Sequence, residues 1–257
     1  MGKIRQRRGA ETGSLVRPSR PVNRKPMSRV DDCLAFLSRQ LLPYRCLICG
    51  ERGVGGDLCA ACRDALPRNR CACARCGLPM AVPEAACGHC LKTPPPFTRT
   101  RAMLIYRFPL DRLLLRFKFH GDLAAGRLLS QLLCEGLVSD DRPQALVPVP
   151  LHRSRLRERG YDQALELAKA VAPTTGISLR ARALRRTRTT ARQSELDLRA
   201  RQHNLRGAFA LGGGPLPAHV ALIDDVMTTG STVRECAQTL LRGGVKRVDV
   251  WVVARAP

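Results

Sequence analysis

After residue 96, short apolar runs alternate with longer stretches of helical periodicity. The runs that predict strands cover residues 101–108, 146–149, 179–184, 220–223 and 248–253. The stretches that predict helices cover residues 110–133, with a break near Gly121, 163–171 and 232–241. Because strands that alternate with helices usually pair in parallel, we expect residues 96–257 to form an α/β domain. Its central strand is predicted at residues 220–223.

A different pattern covers the first 95 residues. Residues 1–30 contain nine Lys or Arg, one acidic residue and no periodic apolar face, which predicts a disordered basic arm. Met27 precedes an amphipathic stretch at residues 30–42, so Met27 is an alternative start, and the arm would then be an artefact of the assigned start. The predicted organisation is the arm at 1–30, an amphipathic helix with a cysteine-rich module at 31–95, and the α/β domain at 96–257.

The composition indicates a polyanionic partner. Of the 257 residues, 44% are hydrophobic, which allows a real core, and only 4% are aromatic, which argues against base stacking as the main source of affinity for a nucleic acid. The formal net charge of +23 is typical of a protein that binds nucleic acid or phosphorylated ligands. No apolar run reaches the ~18 residues of a transmembrane helix, and no apolar segment follows the basic N-terminus. We therefore expect a cytoplasmic protein without membrane insertion.

The cysteines predict metal sites. Four CxxC pairs occur within 45 residues, namely Cys46 and Cys49, Cys59 and Cys62, Cys73 and Cys76, and Cys87 and Cys90. In a reducing compartment this spacing indicates zinc rather than disulfides, and two pairs close the tetrahedral shell of one ion without leaving a position for water. Sequential pairing gives two structural zinc ribbons. An interleaved pairing, and the use of Cys71 in place of Cys73, stay open at this point.

The most specific motif of the chain lies at residues 220–232, which read VALIDDVMTTGST. A predicted strand ends in Asp224 and Asp225, and a loop of small residues leads into a predicted helix. Backbone N–H groups and the helix dipole favour a phosphate in such a loop, whereas carboxylates suit the hydroxyl groups of a ribose. The motif predicts a site for a sugar 5′-phosphate, although a plain strand-to-helix turn with an acidic cap is the alternative. The predicted phosphate-binding residues are Thr228, Thr229, Gly230, Ser231 and Thr232.

A cationic loop is expected after the strand predicted at residues 146–149. Residues 148–163 read PVPLHRSRLRERGYDQ and carry Arg153, Arg155, Arg157 and Arg159 before Gly160. Guanidinium groups suit the oxygens of a pyrophosphate, so these residues are predicted to bind one. A solvated basic face is the alternative.

A third polar stretch, at residues 185–209, has few large apolar side chains and many basic ones. It is predicted to be a flap over the site or a surface for nucleic acid, and an ordinary polar connection is the alternative. The flap candidates are Gln193, Arg201 and Asn204.

Residues 220–232 resemble the phosphoribosyl pyrophosphate (PRPP) signature of type I phosphoribosyltransferases. The resemblance implies a parallel sheet flanked by helices, with the acidic pair on the ribose hydroxyls, the small-residue loop on the 5′-phosphate and the arginine loop on the pyrophosphate.

Further motifs extend the resemblance to residues 33–257. They are CLICG, CARCG, KFHGD at 118–122, LVPVPLHRSRLRERGYDQ at 146–163, RQSELDLRARQHNLRGAF at 192–209 and the terminal VDVWVVARA. Together they resemble the ComF family, whose members are phosphoribosyltransferase-like proteins with an N-terminal double zinc ribbon and a link to DNA uptake in natural competence.

The family resemblance implies two alternative functions. The favoured one is a DNA-uptake protein that binds single-stranded DNA together with PRPP or a nucleotide, and that has a competence helicase as a partner. The other is an active phosphoribosyltransferase that transfers ribose 5-phosphate from PRPP to an unidentified base or amine, with Mg²⁺ held mainly by the diphosphate. The family usually reads RGFNQ where residues 159–163 read RGYDQ. Asp162 therefore either weakens pyrophosphate binding or caps the helix that follows.

Overall fold

A computed structural model of the chain describes residues 45–52, 56–137, 141–188 and 207–257. The chain divides into two units, Met1–Pro43 and Tyr44–Pro257. The predicted basic arm, the amphipathic stretch at 30–42 and the flap candidates Gln193, Arg201 and Asn204 lie outside the described residues.

Seven strands form in this part of the chain. They are β1 (Arg99–Ile105), β2 (Ala145–Pro148), β3 (Ser178–Leu179), β4 (Leu184–Arg186), β5 (Phe209–Leu211), β6 (His219–Met227) and β7 (Arg247–Arg255). Five of them make a parallel sheet in the order β1-β7-β6-β2-β3, while β4 and β5 pair as a separate antiparallel ribbon. The parallel sheet is confirmed, and β6 is its third and central strand, as the motif pattern predicted.

The helices of the described residues are α1 (Ala60–Asp64), α2 (Gly88–Lys92), α3 (Leu110–Phe119), α4 (Leu123–Glu135), α5 (Arg153–Arg159), α6 (Gln163–Thr175) and α7 (Ser231–Arg242). Among them, α7 packs on one face of the sheet and α3, α4 and α6 pack on the other. Side chains alternate along β6, so that Val220 and Leu222 pack with α7 while Ala221 and Ile223 pack with α3, α4 and α6. The near-continuous apolar run of this strand follows from its burial on both faces.

Two elements differ from the prediction. The strand predicted at residues 179–184 is divided, since Ser178–Leu179 forms β3 of the parallel sheet and Leu184–Arg186 forms β4 of the antiparallel ribbon. The arginine-rich residues 153–159 form the helix α5 rather than a loop. His152 caps its first turn by accepting a hydrogen bond from the Ser154 N–H, and Gly160 ends it in the left-handed conformation at φ 81°. Arginine is a good helix former, and a glycine just past the last turn is a common stop signal. Within the described ranges, no helix is long and apolar enough to cross a membrane.

Candidate functional site

A cavity of about 270 Å³ opens at the carboxyl ends of β2 and β6, where ligands of parallel α/β sheets commonly bind. It contains the acidic pair, the small-residue loop and part of the arginine helix. Its walls are formed by Tyr106, Lys118, Val149, Pro150, Leu151, Arg155, Arg159, Asp162, Gln163, Ala164, Arg186 and residues 224–233.

The acidic pair faces a lysine that comes from α3. The Lys118 ammonium lies 3.0 Å from a carboxylate oxygen of Asp225, which is 7% exposed. Burial disfavours the charged ammonium, but the neighbouring Asp225 raises the pKa of Lys118 overall. Asp224 is half-buried and lines the cavity beside Asp225. Desolvation of its carboxyl, followed by the charge of Asp225, raises the pKa of that carboxyl to about 8. The site therefore holds one carboxylate paired with a cation and a second carboxyl that keeps its proton near neutral pH.

The small-residue loop connects β6 to the first turn of α7, and all five of its predicted residues line the cavity. Gly230 precedes the helix with a φ of 77°, and a Cβ at this position would lie 2.6 Å from the Met227 Cε. The position therefore favours glycine for both its conformation and its space. The Thr229 and Ser231 hydroxyls are 2.8 Å apart. Because the start of a twelve-residue helix points at the cavity, the loop has the geometry of an anion site.

Helix α5 brings two of its four predicted arginines to the cavity. Arg155 and Arg159 line it and are half-buried, whereas Arg153 and Arg157 are exposed and are not part of its walls. Residues four apart share one face of a helix and residues two apart do not. Arg155 and Arg159 therefore lie on the face toward the cavity, and Arg153 and Arg157 lie on another. Gly160 ends the helix and is also outside the cavity lining.

Two further cavity residues were not predicted from the sequence. The Arg186 side chain reaches the cavity from β4 and is half-buried, with its guanidinium 5.4 Å from the Phe209 ring centre. Gln163 is buried, accepts a hydrogen bond from the Arg159 guanidinium at 2.9 Å, and has an Nε2 without a hydrogen-bond partner among the described residues. A buried side-chain amide beside Arg159 was not evident from the sequence, because Gln163 reads simply as the first residue of a helix.

Asp162 is a helix cap. Its carboxylate accepts hydrogen bonds from the Leu151 N–H at 2.8 Å and from the Leu165 N–H at 3.1 Å, at the start of α6. Burial raises the pKa of this carboxyl. The departure from the family pattern therefore has a structural role, since the carboxylate joins the loop after β2 to the first turn of α6.

The CxxC pairs assemble sequentially into two clusters. Each cluster places four sulfur atoms within 4.8 Å of one another, and the clusters are Cys46, Cys49, Cys59 and Cys62, and Cys73, Cys76, Cys87 and Cys90. The interleaved alternative and the substitution of Cys71 for Cys73 are thereby excluded.

In the second cluster, backbone N–H groups donate hydrogen bonds to a cysteine sulfur. The Cys87 N–H donates to the Cys73 sulfur at 3.1 Å, and the Cys76 N–H donates to it at 3.5 Å. Burial raises the pKa of the Cys73 thiol, but these N–H donors lower it to about 7 overall. Four thiolates with converging N–H donors fit a structural zinc ion, which would complete the fold of each ribbon and leave no position for a substrate.

The second ribbon is linked through Arg255 to the end of β6, next to the small-residue loop. This side chain is 8% exposed and donates to the Cys76 carbonyl at 3.1 Å and to the Met227 carbonyl at 3.2 Å. A smaller cavity of about 120 Å³ between the two elements is lined by Cys87 and Cys90 on one side and by Thr229 and Gly230 on the other. The metal centre and the loop are therefore neighbours in one packed region.

Comparisons with known proteins agree with this architecture. A family model described as a double zinc ribbon domain matches residues 37–91. The DNA utilization protein YhgH of Salmonella typhimurium is 36% identical over 204 residues, which cover 77% of this chain and 90% of that protein. Competence protein F of Haemophilus influenzae is 33% identical over 224 residues, which cover 83% of this chain and 97% of that protein.

A solved structure of orotate phosphoribosyltransferase from Aeropyrum pernix matches 58% of this chain and 78% of its own, at 18% identity and a TM-score of 0.33. The extent and identity of the matches to curated relatives agree with the motifs read from the sequence, the parallel sheet and the paired four-cysteine clusters. This chain belongs to the ComF family of competence-associated proteins, which join an N-terminal double zinc ribbon to a phosphoribosyltransferase-like domain.

Proposed function

We propose that this protein acts in DNA uptake by binding single-stranded DNA, and that its main cavity takes a PRPP-like ribose phosphate. The observation that carries the ribose-phosphate part is the meeting of Asp224 and Asp225, the loop at residues 228–232 and three arginines in one cavity. Such a ligand requires three features, namely acidic groups for its diol, N–H donors for its 5′-phosphate and guanidinium groups for a second phosphate.

The DNA part of the proposal is supported by the relatives and by charge. Two of the similar proteins carry the names DNA utilization protein and competence protein. A net charge of +23 favours a polyanion, and Arg153 and Arg157 on α5 are exposed beside the cavity-facing arginines. The same surface could then contact a sugar-phosphate backbone. A cytoplasmic location and a competence helicase as partner remain parts of this proposal.

The ribose-phosphate part is tested with the double substitution Asp224→Asn and Asp225→Asn. We expect PRPP binding, measured by titration calorimetry, to fall below detection because the diol loses both carboxyl groups as hydrogen-bond partners. Asp64→Asn, at an exposed position on α1, is the matched control and should bind as the unmodified protein does. Circular dichroism would verify the fold of each variant. Unchanged PRPP affinity in a folded double variant would refute the assignment of the cavity.

An active Mg²⁺-dependent phosphoribosyltransferase is the second candidate. Arg155 and Arg159 favour it, because they line the same cavity as the acidic pair and could stabilise a departing pyrophosphate. In that case Mg²⁺ would accompany PRPP on its diphosphate. A pyrophosphate-release assay with PRPP and a panel of bases separates the two functions. Turnover with one base establishes the enzyme, and tight PRPP binding without turnover supports the binding protein.

A further inference from the structure

An exposed apolar stripe runs along α3. Phe108 is 62% exposed, Leu115 is 43% exposed and Phe119 is 64% exposed. With Arg112 they are spaced by four, three and four residues, so they lie on one side of the helix and of the turn before it. The other phenylalanines in the part of the chain that the structure describes, Phe97, Phe117 and Phe209, are buried. We call Phe108, Arg112, Leu115 and Phe119 the α3 stripe.

An arginine guanidinium lies over each of the two exposed rings. The Arg112 guanidinium carbon lies 5.1 Å from the centre of the Phe108 ring, and the Arg159 guanidinium carbon lies 5.1 Å from the centre of the Phe119 ring. These distances are within the range of cation–π attraction. Since the rings keep more than half of their surface in solvent, the arginines leave much of each ring open to a further planar partner.

The stripe begins at the mouth of the main cavity. Arg159, which covers Phe119, also lines the cavity, and the neighbouring Lys118 forms the ion pair with Asp225 there. From Phe119 the stripe follows a ten-residue helix, a distance of about 15 Å, to Phe108 at its other end. A ligand that leaves the cavity at Arg159 therefore meets one ring at once and a second ring farther along.

The charges on this face indicate what kind of ligand it fits. Helix α3 carries Arg112, Arg116 and Lys118 against the single acid Asp111. Arg116 is paired with Asp122 and Lys118 with Asp225, so the cations that lie on the exposed rings are Arg112 and Arg159. Exposed aromatic rings between cations are the recurrent surface for single-stranded nucleic acid, because every base has a face that can stack and every nucleotide brings a phosphate.

We propose that the α3 stripe is a base-stacking surface for single-stranded DNA, with Phe119 as the first platform outside the cavity and Phe108 as the second. This inference rests on the proposed function and assigns part of the DNA path to named residues. The low aromatic content of the chain argued against stacking as the main source of affinity. The structure is compatible with that expectation, because the two exposed phenyl rings among the described residues both lie on this stripe.

The test is fluorescence anisotropy of the full-length protein with two labelled oligonucleotides of equal length, one of thymidine and one abasic. We expect Phe119→Ala to weaken binding of the thymidine strand by about tenfold, which is about 1.4 kcal/mol, and Phe108→Ala to weaken it less. Both variants should bind the abasic strand and PRPP as the unmodified protein does. Leu123→Ala, which removes a side chain that is 62% exposed and outside the stripe, should change nothing.

The outcomes separate the two proposals. If the unmodified protein binds neither strand, the DNA part of the proposed function fails and the stacking surface fails with it. If it binds both strands equally and Phe119→Ala has no effect, the DNA function stands and the stacking surface is refuted. A change of oligomeric mass by light scattering in Phe119→Ala, without a change in DNA affinity, would reassign the stripe to a protein contact. Thermal denaturation of each variant verifies that it is folded.

Discussion

Lys118 is the residue on which the acidic pair depends. It lies on α3, and its ammonium is the cation nearest to Asp225. Among the described residues, Lys118 is the cation paired with this carboxylate, which is 7% exposed, and an uncompensated buried charge is costly. The thirteen-residue motif revealed the acids, but the partner could not be found in the same way, because the contact exists only after α3 packs on the sheet.

Replacement of Lys118 by Met should therefore lower the stability of the protein. We expect a loss of about 2 kcal/mol in the free energy of unfolding, less than for a fully buried pair because the lysine keeps a quarter of its side chain exposed. Urea denaturation measures this loss. Lys169→Met removes a more exposed ion pair with Glu166 and should cost under about 0.5 kcal/mol. Equal losses in the two variants would contradict the role given to Lys118.

Asp224 predicts a dependence of ligand affinity on pH. Since the pKa of its carboxyl is raised to about 8, the group ionises in the folded protein between pH 7 and 9. A charged acceptor binds the ribose hydroxyls more strongly, so PRPP affinity should rise by up to about tenfold over this interval. Calorimetry at pH 7, 8 and 9 would show the rise in the unmodified protein and its loss in Asp224→Asn. A flat profile in both would exclude Asp224 from the diol site.

The same group should affect the stability of the ligand-free protein in the opposite direction. A carboxyl with a raised pKa binds more protons in the folded than in the unfolded state at every pH between about 4 and about 8. Its contribution to stability is therefore present at low pH and decreases as the pH rises through this window.

At the scale of elements, the two zinc ribbons differ in their protection. In the first ribbon, Cys49 is exposed and Cys59 and Cys62 are half-buried, whereas all four ligands of the second ribbon are buried. The second ribbon also shares the Arg255 contacts with the end of β6. Burial of the thiolates limits the access of a chelator, so the ribbons should lose their metal at different rates.

Metal release is therefore expected to be biphasic. With an excess of chelator, one equivalent of zinc should leave at least about tenfold faster than the other, since the exposed ligands open first. A colorimetric zinc assay follows both phases, and Cys49→Ser should abolish the fast one. PRPP affinity should persist through the fast phase and fall during the slow phase, because the second ribbon packs against the loop at 228–232. Loss of affinity in the fast phase would contradict this coupling.

The arginines of helix α5 were predicted to lie in a loop, and the helix changes which of them reach the cavity. The arginines at 153, 155, 157 and 159 alternate in the sequence, and an extended loop would have allowed all four to surround a ligand. A helix turns residues two apart to opposite sides, so only Arg155 and Arg159 line the cavity. The propensity of arginine for helices and the glycine at position 160 were visible in the sequence, but the cationic chemistry led us to expect a loop.

For the whole molecule, the net charge of +23 predicts how DNA binding responds to salt. The logarithm of the affinity should fall linearly with the logarithm of the salt concentration, with a slope of about −0.7 for each phosphate neutralised on a single strand. Anisotropy titrations between 50 and 300 mM KCl measure this slope. Phe119→Ala should lower the affinity without changing the slope, because the ring contributes no charge. Affinity independent of salt would exclude backbone electrostatics.

The parts of the fold that could be predicted are those encoded by contiguous residues. The apolar run of β6 up to its acidic pair made the position of this strand evident, although the strand continues past the pair to Met227. Each CxxC pair sets the spacing of two ligands. The site residues that were missed, Lys118, Gln163 and Arg186, come from three other elements. Their place beside the cavity depends on packing between elements, for which one sequence carries no local pattern.

The position of β7 in the sheet has a consequence for biosynthesis. Residues 247–255 lie between β1 and β6, and Arg99 of β1 is in register with Asp249. A nascent chain in which β1 and β6 have already left the ribosome has no strand to join them until residues 247–255 emerge. Until then, apolar strand edges are available for pairing with other chains. A chain truncated before residue 247 should therefore associate with other chains through the unpaired edges of β1 and β6.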